Sequence, residues 1–385
     1  MAEQLPTTMR AQLLDAYNEP YDLRLIPLPT MSPTSQHGLL VKVEAASYCH
    51  TDAVIAAGEL PPFPLSFPHI GCHEFAGTVV SAGVGSSFRP GDRVGVPGRA
   101  LDPCGKCFEC MAGPTEDDPD EDGPGYSVNC PHAGNNGISG PGGFAEYAIV
   151  DDRQVAPLPE RMNAVDAAVL MCAGVTIYAA LKRCRLRPGQ RVGIMGCGGG
   201  LGHLGLQFAA AMGLRVTGVD NADGPLRLAR NVASEKAPGA KIVDARLEEA
   251  PQVVAYIGRE DGKQETGDMG LDAVIILPES QNAFDYGMAL LRNHGRCVVV
   301  SFPEKGFHVS ARDLVFRDIS VVGSLVGSNK TLREMLKFAS EQGVKARIKT
   351  FPLSGLNELV DEYHKGKGGK LVVDLTLPDR ASASG

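Results

Sequence analysis

Residues 191–220 read RVGIMGCGGGLGHLGLQFAAAMGLRVTGVD, and they limit the fold more than any other part of the chain. RVGIM is an apolar strand run. LGHLGLQFAAAM then repeats its apolar residues at a helical period until Gly213 stops it, and LRVTGVD is a second strand run. Two strands joined through a helix in so short a span pair in parallel, through a right-handed crossover. Downstream, PLRLARNVAS reads as helix, AKIVDA and LDAVIIL as strands, SQNAFDYGMALLRNHG as helix and RCVVVSF as strand. This alternation predicts an α/β unit with a doubly wound parallel sheet covered on both faces, a Rossmann arrangement.

The turn between the first strand and its helix carries Gly196, Gly199, Gly200, Leu201 and Gly202, with glycines 196, 199 and 202 in G-x-x-G-x-x-G spacing. Small residues there let a backbone approach a pyrophosphate, whose charge the amides at the helix start can hold. Asp220 ends the next strand, where a carboxylate accepts hydrogen bonds from an adenosine ribose and repels a 2′-phosphate. NAD is therefore expected, with NADP the lesser alternative through Arg227. The bland alternative for Asp220 is a cap on the turn before Gly224-Pro225.

The N-terminal third differs. MRAQLLDA, YDLRLIPLP, HGLLVKVEAAS, EFAGTVVSAG, GDRVGV and FAEYAIV are short strand runs between Gly/Pro clusters, which predicts a β-rich, barrel-like domain. A chain of 385 residues exceeds one ordinary core, so two domains are expected. We place a β-rich domain at 1–172, the nucleotide-binding domain at 173–320, and in 321–385 a return to the first domain.

Charge excludes some partners. Of 45 acids, six (Glu116, Asp117, Asp118, Asp120, Glu121 and Asp122) lie in one run, and the remaining 39 nearly balance 37 bases. Neither nucleic acid nor an anionic membrane has an electrostatic basis as partner. The N-terminal residues lack an apolar leader core and no uninterrupted apolar stretch is long enough to span a bilayer, so a cytoplasmic location is expected. In a reducing compartment ten cysteines point to metal rather than disulfides.

Cys49-His50-Thr51-Asp52 follows one strand run, Cys72-His73-Glu74 precedes another, and Cys172 opens CAGVTIY. Two thiolates and an imidazole would leave one position open on a tetrahedral zinc. Cys104, Cys107 and Cys110 stand in C-x2-C-x2-C spacing, and the next cysteine, Cys130, follows only after the acidic run.

CHEFAGTVVSAG from Cys72, CHTD, the cysteine triplet, CAGVTIY and the glycine-rich turn together resemble the zinc-dependent alcohol dehydrogenases of the medium-chain dehydrogenase/reductase superfamily, in that family's order and over essentially the whole chain. The resemblance implies a GroES-like catalytic domain formed by both chain ends around a Rossmann domain. It implies hydride transfer between NAD(P) and an alcohol/aldehyde or ketone pair, and a homo-dimer or homo-tetramer. By residue, it implies Cys49, His73 and Cys172 on a catalytic zinc with Glu74 as an occasional fourth ligand, and Asp52 orienting His73. Thr51 would meet the substrate hydroxyl, His50 and Lys370 the cofactor pyrophosphate, and Thr176 the nicotinamide side. A second, structural zinc would be held by Cys104, Cys107, Cys110 and Cys130, the last displaced by an insertion, with His132 the alternative ligand. Lengthening that loop from seven to nineteen intervening residues costs about 0.9 kcal/mol, little against the free energy of a structural zinc. The acidic run is then expected to form a solvated, mobile flap.

The chain departs from the family pattern at three places. Cys72 replaces a glycine and is expected as a buried free thiol. Val54 occupies the place of a relay histidine, which keeps conjugate reduction of an enal or enone open as an alternative on the same scaffold. The chain has no tryptophan, and Leu60 and Arg99-Ala100 fall near where pocket indoles would lie, so a substituted substrate larger than ethanol is expected unless Phe63, Phe67 or Phe302 fills the space. A non-catalytic zinc- and nucleotide-binding module is the remaining alternative.

Overall fold

The computed structural model describes residues 5–32, 35–60, 66–115 and 119–379. Six strands form one sheet in the spatial order Lys241–Asp244, Arg215–Asp220, Arg191–Met195, Leu271–Ile276, Leu291–Val299 and Ser320–Gly323. Every pairing in it is parallel. The strand order reverses at the pair Arg191–Met195 and Leu271–Ile276, and the crevice beyond the carboxyl ends of such a pair is where open α/β sheets bind ligands. All five residues of RVGIM are buried, as expected for a central strand covered on both faces. Ile194 packs with Leu204 and Phe208 on one side, whereas Met195 joins Val253, Phe284 and Met288 on the other.

A second, mainly antiparallel sheet runs Ile348–Phe351, Lys370–Asp374, Gly38–Tyr48, Glu74–Ala82, Arg93–Pro97 and Ala156–Pro157, with Tyr147–Asp151 also on Gly38–Tyr48. Leu371 lies opposite Tyr48, so the C-terminal strand completes the sheet of the N-terminal residues and sets Lys370 beside Cys49. The division at 320 needs moving. Strand Ser320–Gly323 belongs to the parallel sheet, helix Asn329–Gln342 packs its Leu332, Met335 and Leu336 into the same core as Leu204, and the return starts at Ile348. Hydrophobic burial against the nucleotide-binding layer decides that helix's place, and its amphipathic pattern alone could not say which core it serves.

Helices Ala164–Val169 and Val175–Arg183 are joined by a π-helical turn, Leu170–Gly174, that carries Cys172. By length and composition the whole segment Ala164–Arg183 could cross a membrane, but 78% of its apolar window is buried inside the fold, so it is a core helix. The π turn inserts an extra residue and re-aims the side chains around Cys172, as such turns do at functional sites.

The acidic run departs from the solvated flap expected of it. Asp122 accepts from the backbone amides of Asn329 (2.8 Å) and Lys330 (3.1 Å), satisfying orphan donors in the first turn of helix Asn329–Gln342. Asp120 pairs with Lys182 at 2.8 Å, and Lys182 also meets Glu334. These residues therefore form a strap across two helices, while Glu116, Asp117 and Asp118 lie outside the described residues.

His203 ties the glycine-rich turn to the returning chain. Its Nδ1 faces the Gly199 carbonyl at 2.8 Å and must donate, and its Nε2 accepts the Arg347 amide at 3.1 Å, so both bonds need the neutral ring. Complete burial pulls its pKa down to about 4, against an ordinary value of 6.5. The unfolded chain thus binds the extra proton first. This contribution is whole above pH 6.5 and is lost as pH falls toward about 4, on a scale of about 3 kcal/mol. His203→Gln is expected to lower stability at neutral pH and to flatten the acid-side decline in that window, read as urea midpoints against pH. Parallel declines in the two proteins would remove His203 as a cause.

Candidate active site and metal centres

Cys49 follows strand Gly38–Tyr48 directly and is the N-cap residue of helix His50–Ala57. Asp52, in the first turn, is 2% exposed, and its carboxylate gathers two chain segments. Oδ2 accepts the Cys49 amide at 2.8 Å, and Oδ1 accepts the Cys72 amide at 3.2 Å and His73 Nδ1 at 3.1 Å. Because a carboxylate only accepts, Nδ1 carries the ring proton and Nε2 presents its lone pair. That Nε2 is buried and has no partner within the protein. One ligand atom each from Cys49, His73 and Cys172 lies within 4.8 Å of the others. Two thiols and an imidazole with an unpartnered, correctly tautomerised nitrogen fit a zinc that keeps a fourth position for substrate. The local charges agree. The Cys49 thiol is held well below its ordinary pKa, first by a hydrogen bond from Cys172 and then by Lys370 and His73.

Glu74 stands apart from that cluster. Its carboxylate accepts from Ser47 Oγ (2.9 Å), from the Ala173 amide (3.4 Å) and from Lys370. Burial pushes its pKa up to about 7 even though Lys370 pulls the other way. The Lys370 ammonium is spent on Glu74 and on the Tyr48 carbonyl (2.9 Å) and is 5% exposed. Only its stem passes the glycine turn, where a Cβ on Gly200 would meet Lys370 Cδ at 3.1 Å. Antiparallel pairing of Lys370–Asp374 with Gly38–Tyr48 thus places Lys370 between the glycine turn and Glu74, with its ammonium on Glu74 and the Tyr48 carbonyl.

On the cofactor side, Gly196 has φ +78°, and a Cβ on Gly202 would lie 2.1 Å from the Gly196 carbonyl oxygen. A Cβ on Gly198 would strike the Pro225 carbonyl at 2.0 Å, whereas Gly199 meets only the Gly196 oxygen, at 3.3 Å. The constrained positions are thus 196, 198 and 202, and Gly199 and Gly200 remain free for close approach by a ligand. Leu201 is the N-cap residue of helix Gly202–Ala211. Asp220 accepts the Gly198 amide at 3.0 Å, which holds its carboxylate at the turn, and Arg227 is exposed on helix Asp223–Lys236. Thr176 is buried in the turn after Cys172, and Thr51 is half-buried one residue after His50. His50 Nδ1 lies 2.8 Å from the Tyr363 hydroxyl, and its Nε2 reaches Glu279 of the parallel-sheet layer at 3.6 Å. Neither Tyr363 nor Glu279 carries a local sequence signal, since each acts through a long-range contact.

The second cluster comprises Cys104, Cys107, Cys110 and Cys130, all within 4.8 Å by their thiols. Cys107 Sγ accepts the Cys110 amide at 3.4 Å across the one-turn helix Phe108–Met111, and the Cys104 amide lies 3.5 Å from Cys130 Sγ. Neighbouring amides, Lys106 first, hold the Cys104 thiol down to about 6. His132 is exposed and outside the cluster. Four thiols in one lobe fit a closed, structural zinc. Cys72 is in neither group: it is fully buried at φ +79°, donates to the Ser47 and Glu74 carbonyls, and occupies a left-handed position that glycine would fill without strain. Val54 and Leu60 are half-buried, Arg99 and Ala100 are buried, and Phe67 and Phe302 are exposed. Phe63 lies outside the described residues.

Comparison with known proteins agrees with this geometry. Residues 35–160 match the alcohol dehydrogenase GroES-like domain family, and residues 200–341 match the zinc-binding dehydrogenase family. The chain is 35% identical over 369 residues to an alcohol dehydrogenase of Geobacillus stearothermophilus, covering 95% of this chain and 99% of that one. It is 34% identical to an alcohol dehydrogenase of Rhizobium meliloti, over 96% and 99% of the two chains. Among solved structures, the alcohol dehydrogenase of the archaeon Aeropyrum pernix superposes with a TM-score of 0.77 at 26% identity, over 95% of this chain and 99% of that one. The chain is an oxidoreductase that belongs to the zinc-dependent alcohol dehydrogenases of the medium-chain dehydrogenase/reductase superfamily.

Proposed function

We propose that this enzyme transfers hydride reversibly between NAD(H) and an alcohol/aldehyde or ketone pair whose substrate is substituted and larger than ethanol. The observation that carries the reading is Asp52, which orients His73 so that its free nitrogen faces Cys49 and Cys172. Zinc bound by these three residues supplies Lewis acidity toward a substrate oxygen, and NAD supplies the hydride acceptor. Thr51 receives the hydroxyl proton, and His50, hydrogen-bonded to Tyr363, stands where that helix meets the cofactor crevice. Val54 offers no general base, and such a base is typically worth about 10²- to 10⁴-fold. Alcohol oxidation is accordingly expected to rise with pH more steeply than carbonyl reduction falls.

Asp220 supports NAD over NADP, because its carboxylate stands at the turn itself while Arg227 points to solvent. Cys104, Cys107, Cys110 and Cys130 are read as the ligands of a second zinc. Ten free thiols fit a cytoplasmic setting, and the open edge strand Ser320–Gly323 fits self-association as a dimer or tetramer.

NADH consumption with a panel of aldehydes and ketones tests the reading, and loss of turnover is expected in Cys49→Ser with the fold retained. No turnover of any carbonyl at full zinc occupancy would leave a binding module instead. A saturated aldehyde from an enal would move the reaction to conjugate reduction, whereas an allylic alcohol keeps it at the carbonyl. Zinc content near two per chain should fall to one in Cys130→Ser with the active site still loaded. Asp52→Asn should weaken the catalytic ion by about 10- to 100-fold in competition with a chromophoric chelator, leaving the four-cysteine ion unchanged. Asp220→Asn should cost about tenfold in NADH affinity and narrow the preference over NADPH, through loss of one charge-assisted hydrogen bond and one repulsion.

A further inference from the structure

Arg99 is a buried guanidinium without a counter-ion, and it lies beside the catalytic cysteines. It follows strand Arg93–Pro97 after Gly98, whose amide donates to the His73 carbonyl at 2.6 Å. A Cβ on Gly98 would sit 2.2 Å from that of His73, so the backbone leading into Arg99 is pressed against a metal-ligating residue. The Cys172 thiol is within electrostatic range of the guanidinium. Arg99 is 4% exposed. Nη2 donates to Asn329 Oδ1 at 2.7 Å, Nε and Nη1 meet no acceptor of hydrogen-bond geometry within the protein, and the buried hydroxyl of Tyr126 lies within reach of the same guanidinium.

No ion pair of the described residues includes Arg99. The Asp122 carboxylate acts on it electrostatically but spends both oxygens on the amides of Asn329 and Lys330. A zinc with two thiolates and a neutral imidazole has no net charge to offer either. Arginine cannot relieve such burial by losing its proton, as lysine can. A purely structural role, bracing the strap to helix Asn329–Gln342, accounts for the bond to Asn329 and leaves the other donors unexplained. A buried guanidinium with free N–H groups is matched by an oxyanion from outside the protein.

We propose that Arg99 and Tyr126 bind a carboxylate carried by the substrate, so that the enzyme acts on carboxylate-bearing alcohols and their aldehydes or ketones. The proposal rests on the hydride-transfer reading above. The carbinol C–H bond breaks with its electron pair going to NAD⁺, the hydroxyl proton leaves through Thr51, and the carboxylate is held without reacting.

The test compares matched pairs at two spans, 4-carboxybenzaldehyde and succinic semialdehyde against their methyl esters, with NADH and the zinc-loaded full chain. The wild-type enzyme should favour at least one free acid over its ester by about tenfold or more in kcat/KM, and Arg99→Gln should bring that ratio close to one. Arg99→Lys should restore part of the preference, and Tyr126→Phe should reduce it severalfold. The phenylalanine variant keeps the buried ring and so serves if the glutamine variant fails to fold. Equal use of acids and esters by the wild type, a preference for esters, or a preference that survives both substitutions would overturn the proposal while leaving the hydride-transfer reading intact. No turnover of any of the four at full zinc occupancy would overturn that reading, and this proposal with it.

Discussion

The site depends on one carboxylate. Asp52 is buried without a cation of its own, and it is tolerable there because three N–H groups from two separate chain segments converge on it. Those bonds fix the start of helix His50–Ala57 against the residues leading into strand Glu74–Ala82, and they choose the tautomer of His73. The third ligand arrives independently, on the π turn Leu170–Gly174. Geometry that fits a metal therefore rests on two devices, a shared carboxylate and a helix irregularity, that bring three distant residues together.

A second buried pair extends this support to the far end of the chain. Lys370 and Glu74 are both almost inaccessible, and their charges would be expensive apart. Together they bind the returning strand Lys370–Asp374 to the floor of the cysteine cluster, with Ser47 and the Ala173 amide taking up the remaining acceptor capacity. Glu74 lies one residue after His73, and Ala173 one after Cys172. The pair therefore restrains His73 and Cys172 through their neighbours.

How much of this was legible in the sequence follows from the range of each contact. The parallel sheet, the strand–turn–helix at Arg191–Ala211 and the grouping of the cysteines depend on periodicity and spacing, which a sequence displays directly. The glycine turn was only half legible: spacing favours 196, 199 and 202, but the approach of Pro225 makes 198 the constrained position, and that neighbour comes from the next helix. The Lys370–Glu74 pair was hidden for the same reason. The lysine's residue type suits a phosphate, yet its direction is set by pairing with a strand more than three hundred residues earlier. The domain border failed because helix Asn329–Gln342 is amphipathic in a way that either core could accept. Arg99 could be located near the pocket, but only the tertiary structure reveals that its charge is unpaired.

The acidic insertion joins these levels. A loop lengthened inside the four-cysteine lobe costs little entropy while both ends are clamped by thiols. Asp120 and Asp122 of this loop reach across to Lys182 and to the start of helix Asn329–Gln342. Asp122 joins the N-cap Ser328 in supplying acceptors for that helix start, and Asn329 turns its side-chain oxygen to Arg99 and its amide nitrogen to the Arg153 carbonyl. The strap thus fixes the residue that holds one edge of the guanidinium, and Tyr126, in the same loop, neighbours it. Whatever orders the four-cysteine lobe therefore also orders, through Asp122 and Asn329, the surroundings of Arg99.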